Sequence, residues 1–188
     1  AEMRRHFGNT QGPRVISIRV NGGAIEGDHW TQSSDEGGGR VLGEMCHFVD
    51  LARYLADGTI ESVHAEAATE TGGNGDNVAA HIRFKDGSLA SIVYTALGDT
   101  ALPKEHIEMF AGGRAASLDD FRELSLAADG AVKTSTATQD KGHKQQLAAF
   151  VKSVSDGAPV IAETELIETA AATIAVLESL RTGERIDL

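Results

Sequence analysis

At 188 residues the chain is long enough for one domain with a sizeable core, and 41% apolar with 24% charged residues is a globular rather than a disordered composition. A net charge of −11, with bases scattered apart from Arg4, Arg5 and His6, excludes the concentrated basic face that nucleic acid or an anionic membrane requires. The single cysteine, Cys46, cannot close an internal disulfide, which fits a reducing, cytoplasmic setting, and no run approaches the ~20 apolar residues that span a bilayer.

In chain order, AEMRRHFG reads as a short helix end stopped by Gly8, with a loop through Pro13. These first residues resemble the tail of a longer helix, so the chain is expected to be a fragment or a mature chain with something removed. Arg14 to Asn21 alternates Ile16, Ile18 and Val20 against Val15, Ser17 and Arg19, the period of a strand. A polar, glycine-rich connection follows and carries Asp28-His29-Trp30. From Arg40 to Ala56 the apolar residues Val41, Met45, Phe48, Ala52 and Leu55 recur at helical spacing, with Ser34 or Asp35 as a cap and Gly58 as a stop.

Strands are then expected at 59–69, 77–84, 89–95, 105–111, 114–118, 124–127 and 131–136. Lys85-Asp86-Gly87-Ser88 and Asp129-Gly130 mark hairpin turns. Such short links predict mostly antiparallel neighbours. Two helices close the chain. One carries the stripe Leu147, Phe150, Val151 and Val154; the other carries Leu166, Ala170, Ile174, Leu177 and Leu180. The expected fold is a single α+β domain over residues 1–188, a largely antiparallel open sheet with helices packed on one face and no Rossmann domain.

The chemistry-bearing stretch is Gly37 to Asp50, GGGRVLGEMCHFVD. Residues three or four apart share a helix face, so Glu44, His47 and Asp50 form one stripe, and Gly43 leaves room beside His47. Histidine near carboxylates suits general acid/base work. Spacing alone leaves a second reading open, a solvated polar face. Cys46 falls beside the apolar stripe and is expected in the core. The glycine clusters lack the strand, G-x-G-x-x-G and helix order of a dinucleotide site, and no Walker lysine follows them. No two of the seven histidines lie four apart, so no metal site is expected, and no G-x-S-x-G elbow supports a serine hydrolase.

The stretch resembles the motif G-G-G-x-L-x-D-x-G-x-H-x-x-D of the Gfo/Idh/MocA oxidoreductases, in their C-terminal domain. Gly37, Gly38, Gly39, His47 and Asp50 occupy matching positions, and residues 143–188 resemble the closing helix pair and final short strand. The resemblance implies a glyceraldehyde-3-phosphate dehydrogenase-like C-terminal domain that shapes the substrate pocket and forms a homo-oligomer through its sheet. NAD or NADP would be bound mainly by a separate N-terminal domain, and the substrate would be a sugar- or cyclitol-like hydroxyl or carbonyl. It implies His47 as the catalytic acid/base, with Asp50 orienting it. Glu44, Asp50, Arg40, His29 and Trp30 are expected at the substrate and Trp30 also near the cofactor. The chain departs from the motif at Gly43, where an aspartate is usual, and at Met45, where a glycine is usual. The alternative is a non-catalytic sugar-binding or interaction module that retains the fold.

Overall fold

The computed structural model describes residues 1–8, 10–25, 30, 37–68 and 76–188. Its elements are α1 (Glu2–His6), β1 (Val15–Asn21), a π-helical turn (Val41–Met45) running into α2 (Cys46–Ala56), β2 (Ile60–Ala67), β3 (Val78–Phe84), β4 (Leu89–Thr95), β5 (Glu105–Ala111), β6 (Arg114–Asp119), β7 (Glu123–Ala128), β8 (Ala131–Thr136), α3 (His143–Asp156), α4 (Glu163–Thr182) and β9 (Ile186–Asp187). The nine strands form one open sheet in the order β8-β7-β6-β5-β1-β4-β3-β2-β9. Neighbours are antiparallel except β1 and β4, which run parallel with Ile18 opposite Ile92. This is the expected α+β class. β1 sits in the middle of the sheet, between β4 and β5, which short local links did not predict.

The period-2 pattern decides which face is covered. Ile16, Ile18 and Val20 of β1 are buried with Ala90, Ile92 and Tyr94 of β4 and Ile107 and Met109 of β5. Val15, Leu89 and Phe110 point the other way and are exposed. Helix α2 lays Phe48, Val49, Ala52 and Leu55 on the covered face. At ~25 cal/mol per Å² of apolar surface, each large side chain so buried contributes about 1.5–3 kcal/mol. The helix ends at Asp57, in the left-handed conformation (φ 56°), rather than at Gly58. Arg14, at the entry to β1, donates to the Leu55 and Ala56 carbonyls at 2.8 and 2.9 Å, placing a cation on the negative helix end. The expected N-caps Ser34 and Asp35 lie outside the described residues.

The two closing helices differ from their expected stripes. In α3 no residue is buried; Leu147, Phe150, Val151 and Val154 are all exposed. In α4 the face against the sheet is the small one, Ala172, Thr173, Ala175, Val176 and Ser179, while Leu166, Ala170 and Ile174 face outward. Small side chains let the helix approach β2, where Ser179 Oγ accepts the Ala65 N–H at 2.8 Å. Glu168 of α4 then ties two neighbours together, accepting from Arg53 Nε of α2 at 2.6 Å and from the Ile60 N–H at 2.5 Å. Among the described residues no helix is long and apolar enough to cross a membrane.

Candidate functional site

The carboxyl ends of the parallel strands β1 and β4 and the start of β5 meet at one end of the sheet, where α2 begins. The helix enters through the π-turn, in which the Cys46 N–H reaches the Val41 carbonyl five residues back. Wide turns of this kind favour functional sites and change the angular spacing of the side chains they carry. Here Glu44 is directed to the strand ends, while His47 and Asp50 face α4.

Glu44 lies at the centre of a polar cluster. Tyr94 donates its hydroxyl to Glu44 Oε2 at 2.5 Å, Arg40 Nη1 donates to the same oxygen at 3.0 Å, and Lys104 Nζ donates to Oε1. Arg40 Nη1 also reaches the Tyr94 hydroxyl at 2.5 Å, and Nη2 donates to the Gly23 carbonyl. The Arg40 side chain is only 4% exposed. Burial alone would raise the Glu44 pKa, but the bonds from Lys104, Tyr94 and Arg40 outweigh it and hold the carboxyl below its ordinary range. Burial, then the neighbouring Glu44 carboxylate, push the Tyr94 phenol well above its usual value. Gly22 makes the packing possible, because a Cβ there would lie 2.5 Å from the Tyr94 hydroxyl. Gly98 does the same for Asn21, whose Oδ1 would stand 2.1 Å from an added Cβ.

His47 and Asp50 are both exposed and line an open groove of about 400 Å³ between α2 and α4, walled by Leu42, Ile161, Leu166, Ala170 and Ile174. Thr169 donates to Asp50 Oδ1 at 3.2 Å. The His47 ring has no hydrogen-bond partner among the described residues, and Glu44 is directed away from it. The expected stripe is thus divided between two surfaces of the helix. Cys46, expected in the core, is half-buried at the groove, and burial pushes its thiol pKa up. Trp30 is 58% exposed. His29 lies outside the described residues. Tyr94 and Lys104 joined the site unannounced by the sequence: one reads as an ordinary inward strand position, the other as a loop lysine. A larger apolar groove between α1, α2 and β6–β8, about 560 Å³, is lined by none of the candidate residues.

Among the described residues no three His, Cys, Asp or Glu side chains converge to hold a metal ion. A dinucleotide does not fit the described residues either. Gly37 to Gly39 precede a helical segment, but the adjacent cation Arg40 is committed to Glu44, Tyr94 and Gly23, and the preceding strand β1 ends at Asn21 rather than turning directly into the helix.

An open, mostly antiparallel sheet with one helix-covered face, and a polar site where a helix starts against its strand ends, define an α+β domain. The chain belongs to the GFO/IDH/MocA family: the model of the GFO/IDH/MocA C-terminal domain matches residues 8–109. Among solved structures, the aldose-aldose oxidoreductase from Caulobacter crescentus, complexed with glycerol, is 16% identical with a TM-score of 0.83, over 100% of this chain and 59% of that one. The WlbA dehydrogenase from Bordetella pertussis, in complex with NADH and UDP-GlcNAcA, is 20% identical with a TM-score of 0.76, over 100% of this chain and 58% of that one. The UDP-N-acetylglucosamine 3-dehydrogenase GnnA from Acidithiobacillus ferrooxidans is 15% identical with a TM-score of 0.78, over 95% and 57%. The chain therefore spans about three fifths of the length of these structures, and at such identities the likeness is one of fold. No curated protein matches the chain.

Proposed function

We propose that the chain is the substrate-binding and oligomerisation domain of a cytoplasmic NAD- or NADP-dependent oxidoreductase of sugar metabolism, acting on a sugar- or cyclitol-like hydroxyl or carbonyl. The observation that carries this reading is His47, an unengaged imidazole in an open groove one helical turn from Asp50, within the segment matched to the family. In the oxidative direction His47 takes the proton from the substrate hydroxyl oxygen; in the reductive direction it returns a proton to the carbonyl oxygen. The nicotinamide, held by another part of the protein, supplies the hydride chemistry. Asp50, held by Thr169, is a positioning residue for the ring. Glu44 and Arg40 are assigned to substrate binding on the strand-end side of α2, apart from the His47 groove, with Glu44 kept ionised and engaged rather than free to carry a proton. His29, outside the described residues, and Trp30 are proposed as substrate contacts, Trp30 also as a cofactor contact.

Two exposed surfaces support a role within a larger assembly. Leu166 and Ile174 of α4 wall the His47 groove and suit a second domain packed over it, and α3 exposes an apolar stripe of its own. The sheet face opposite the helices exposes Val15, Leu89, Val93 and Phe110, which suits a homodimer. The second reading, a non-catalytic sugar-binding or interaction module, is favoured by two observations: Gly43 stands where the motif has a carboxylate, and Glu44 is directed away from His47. The test is turnover of the whole protein carrying His47→Ala. A loss of about 10²–10⁴ in kcat, as for a general acid/base, supports the enzyme reading, whereas wild-type turnover removes His47 from the mechanism.

A further inference from the structure

We propose that the cleft beyond the carboxyl end of β1 binds the anionic group of a polyhydroxy substrate, a sugar or cyclitol that carries a carboxylate or a phosphate. The inference rests on the reading above that the substrate is sugar-like, and adds its charge. The cleft measures about 600 Å³ and is walled by Asn21 and Gly22, the turn from Thr100 to Lys104, the β6–β7 turn with Asp120 and Arg122, and the segment from Gln139 to Lys141.

Three bases converge there, Lys104, Arg122 and Lys141, in a chain of net charge −11. Each is seated on a carboxylate less exposed than itself. Lys104 is 39% exposed over Glu44 at 24%, Lys141 34% over Glu105 at 5%, and Arg122 61% over Asp120 at 19%. The formal charges cancel in pairs, so any attraction comes from position: the cationic heads are more accessible than the acids that anchor them. Lys104 and Lys141 each commit one N–H to a carboxylate, and an ammonium has three. The remaining donors suit a carboxylate or phosphate oxygen.

The cleft is also built at a cost. Asp120 and Phe121 both adopt left-handed backbone, φ 47° and 53°, in the tight turn closed by the Arg122 N–H to the Asp119 carbonyl at 2.8 Å. Glycine or asparagine is usual in such a turn, and a left-handed Phe is strained. The neighbours hold the turn in place: the Asp120 N–H bonds the Glu105 carbonyl at 2.8 Å, Gln139 Nε2 donates to the Asp120 carbonyl at 2.9 Å, and Lys141 lies 5.8 Å from the Phe121 ring centre. Buried Asn21 lines the cleft and fixes its rim, its Nδ2 donating to the Asp99 and Leu102 carbonyls at 2.7 and 3.3 Å. Lys104 joins the cleft to Glu44, one helical turn before His47.

The test is a titration of the 188-residue chain by amide chemical-shift mapping, with D-glucuronate, D-glucose 6-phosphate and uncharged D-glucose as probes. The expected result is a saturable shift of the Gly22, Lys104 and Lys141 amides with one or both anionic probes. Uncharged glucose should bind at least about ten-fold more weakly, the scale of one charge-assisted hydrogen bond. Which anion binds distinguishes a carboxylate from a phosphate site. Lys141→Gln should lose the same factor. Arg122→Gln, at a largely exposed position, repeats the test should Lys141→Gln release Glu105 and destabilise the chain. Equal binding of glucose overturns the anionic assignment and leaves the sugar-like reading standing. Absence of any shift in the cleft overturns it as well, and the His47→Ala turnover test decides the wider reading independently.

Discussion

Replacing Glu44 by glutamine keeps the side-chain shape and removes the charge on which Arg40 depends. In the native cluster Arg40 is 4% exposed and bonds Glu44 at 3.0 Å, and Tyr94 donates to the same oxygen at 2.5 Å. Breaking a fully buried pair costs about 3–5 kcal/mol, but Glu44 is a quarter exposed and its second cation Lys104 more so, which reduces the cost to about 2–3 kcal/mol. For a chain of this size that is roughly 5–10 °C in Tm. The assay is urea and thermal unfolding of wild type and Glu44→Gln followed by circular dichroism. The pH dependence gives a second check. The folded-state pKa of Glu44 is depressed, so its contribution is complete above the ordinary glutamate value of about 4.3 and is lost as pH falls through the folded value. The gap between the two proteins should therefore narrow in acid. A Glu44→Gln cost below about 1 kcal/mol at neutral pH, or a gap unchanged in acid, refutes the claim that Glu44 compensates the buried Arg40.

Further outcomes follow from the same geometry. In Tyr54→Phe the sole tyrosine is Tyr94. Its raised folded pKa means that stability is complete below the free-tyrosine value of about 10 and falls as pH rises above it. Ultraviolet titration should find the phenol resisting ionisation past that value until the chain unfolds, and ionisation at the free value would contradict the cluster. Gly22→Ala should displace the Tyr94 hydroxyl and cost about 1–3 kcal/mol, measured by urea unfolding. The double variant Leu147→Gln, Phe150→Gln should change the stability of this chain by no more than about 0.5 kcal/mol, since α3 buries nothing; a cost of several kcal/mol would show that α3 packs on the core.

Much of the sheet was legible because strand signals are local. The alternation in β1, β4 and β5 and the Asp-Gly turns placed those strands to within a residue of their observed limits. The parallel pairing of β1 with β4 was not, because it joins segments some seventy residues apart with no local mark. Helix α4 shows where hydropathy misleads. Its large apolar residues Leu166 and Ile174 face outward, and close approach to β2 selected the small face of Ala172, Ala175 and Ser179 instead. The stripe of α3 indicated amphipathicity correctly, but amphipathicity does not say where the partner is.

At the candidate site the motif singled out Arg40, Glu44, His47 and Asp50. The π-turn divided Glu44 from His47, and no side-chain spacing announces a π-turn. Tyr94 and Lys104 lie fifty and sixty residues from Glu44, so only the fold could join them.

The central claim is that this chain supplies the proton-transferring residue of an oxidoreductase acting on a sugar-type hydroxyl. Its most direct test is reduction of NAD⁺ or NADP⁺ by the whole protein across a panel of aldoses, sugar acids and cyclitols, with His47→Ala alongside wild type. Reduced nicotinamide is expected with at least one such substrate, with a loss of about 10²–10⁴ in kcat in the variant. A panel without turnover, or His47→Ala reducing the cofactor at the wild-type rate, would contradict it.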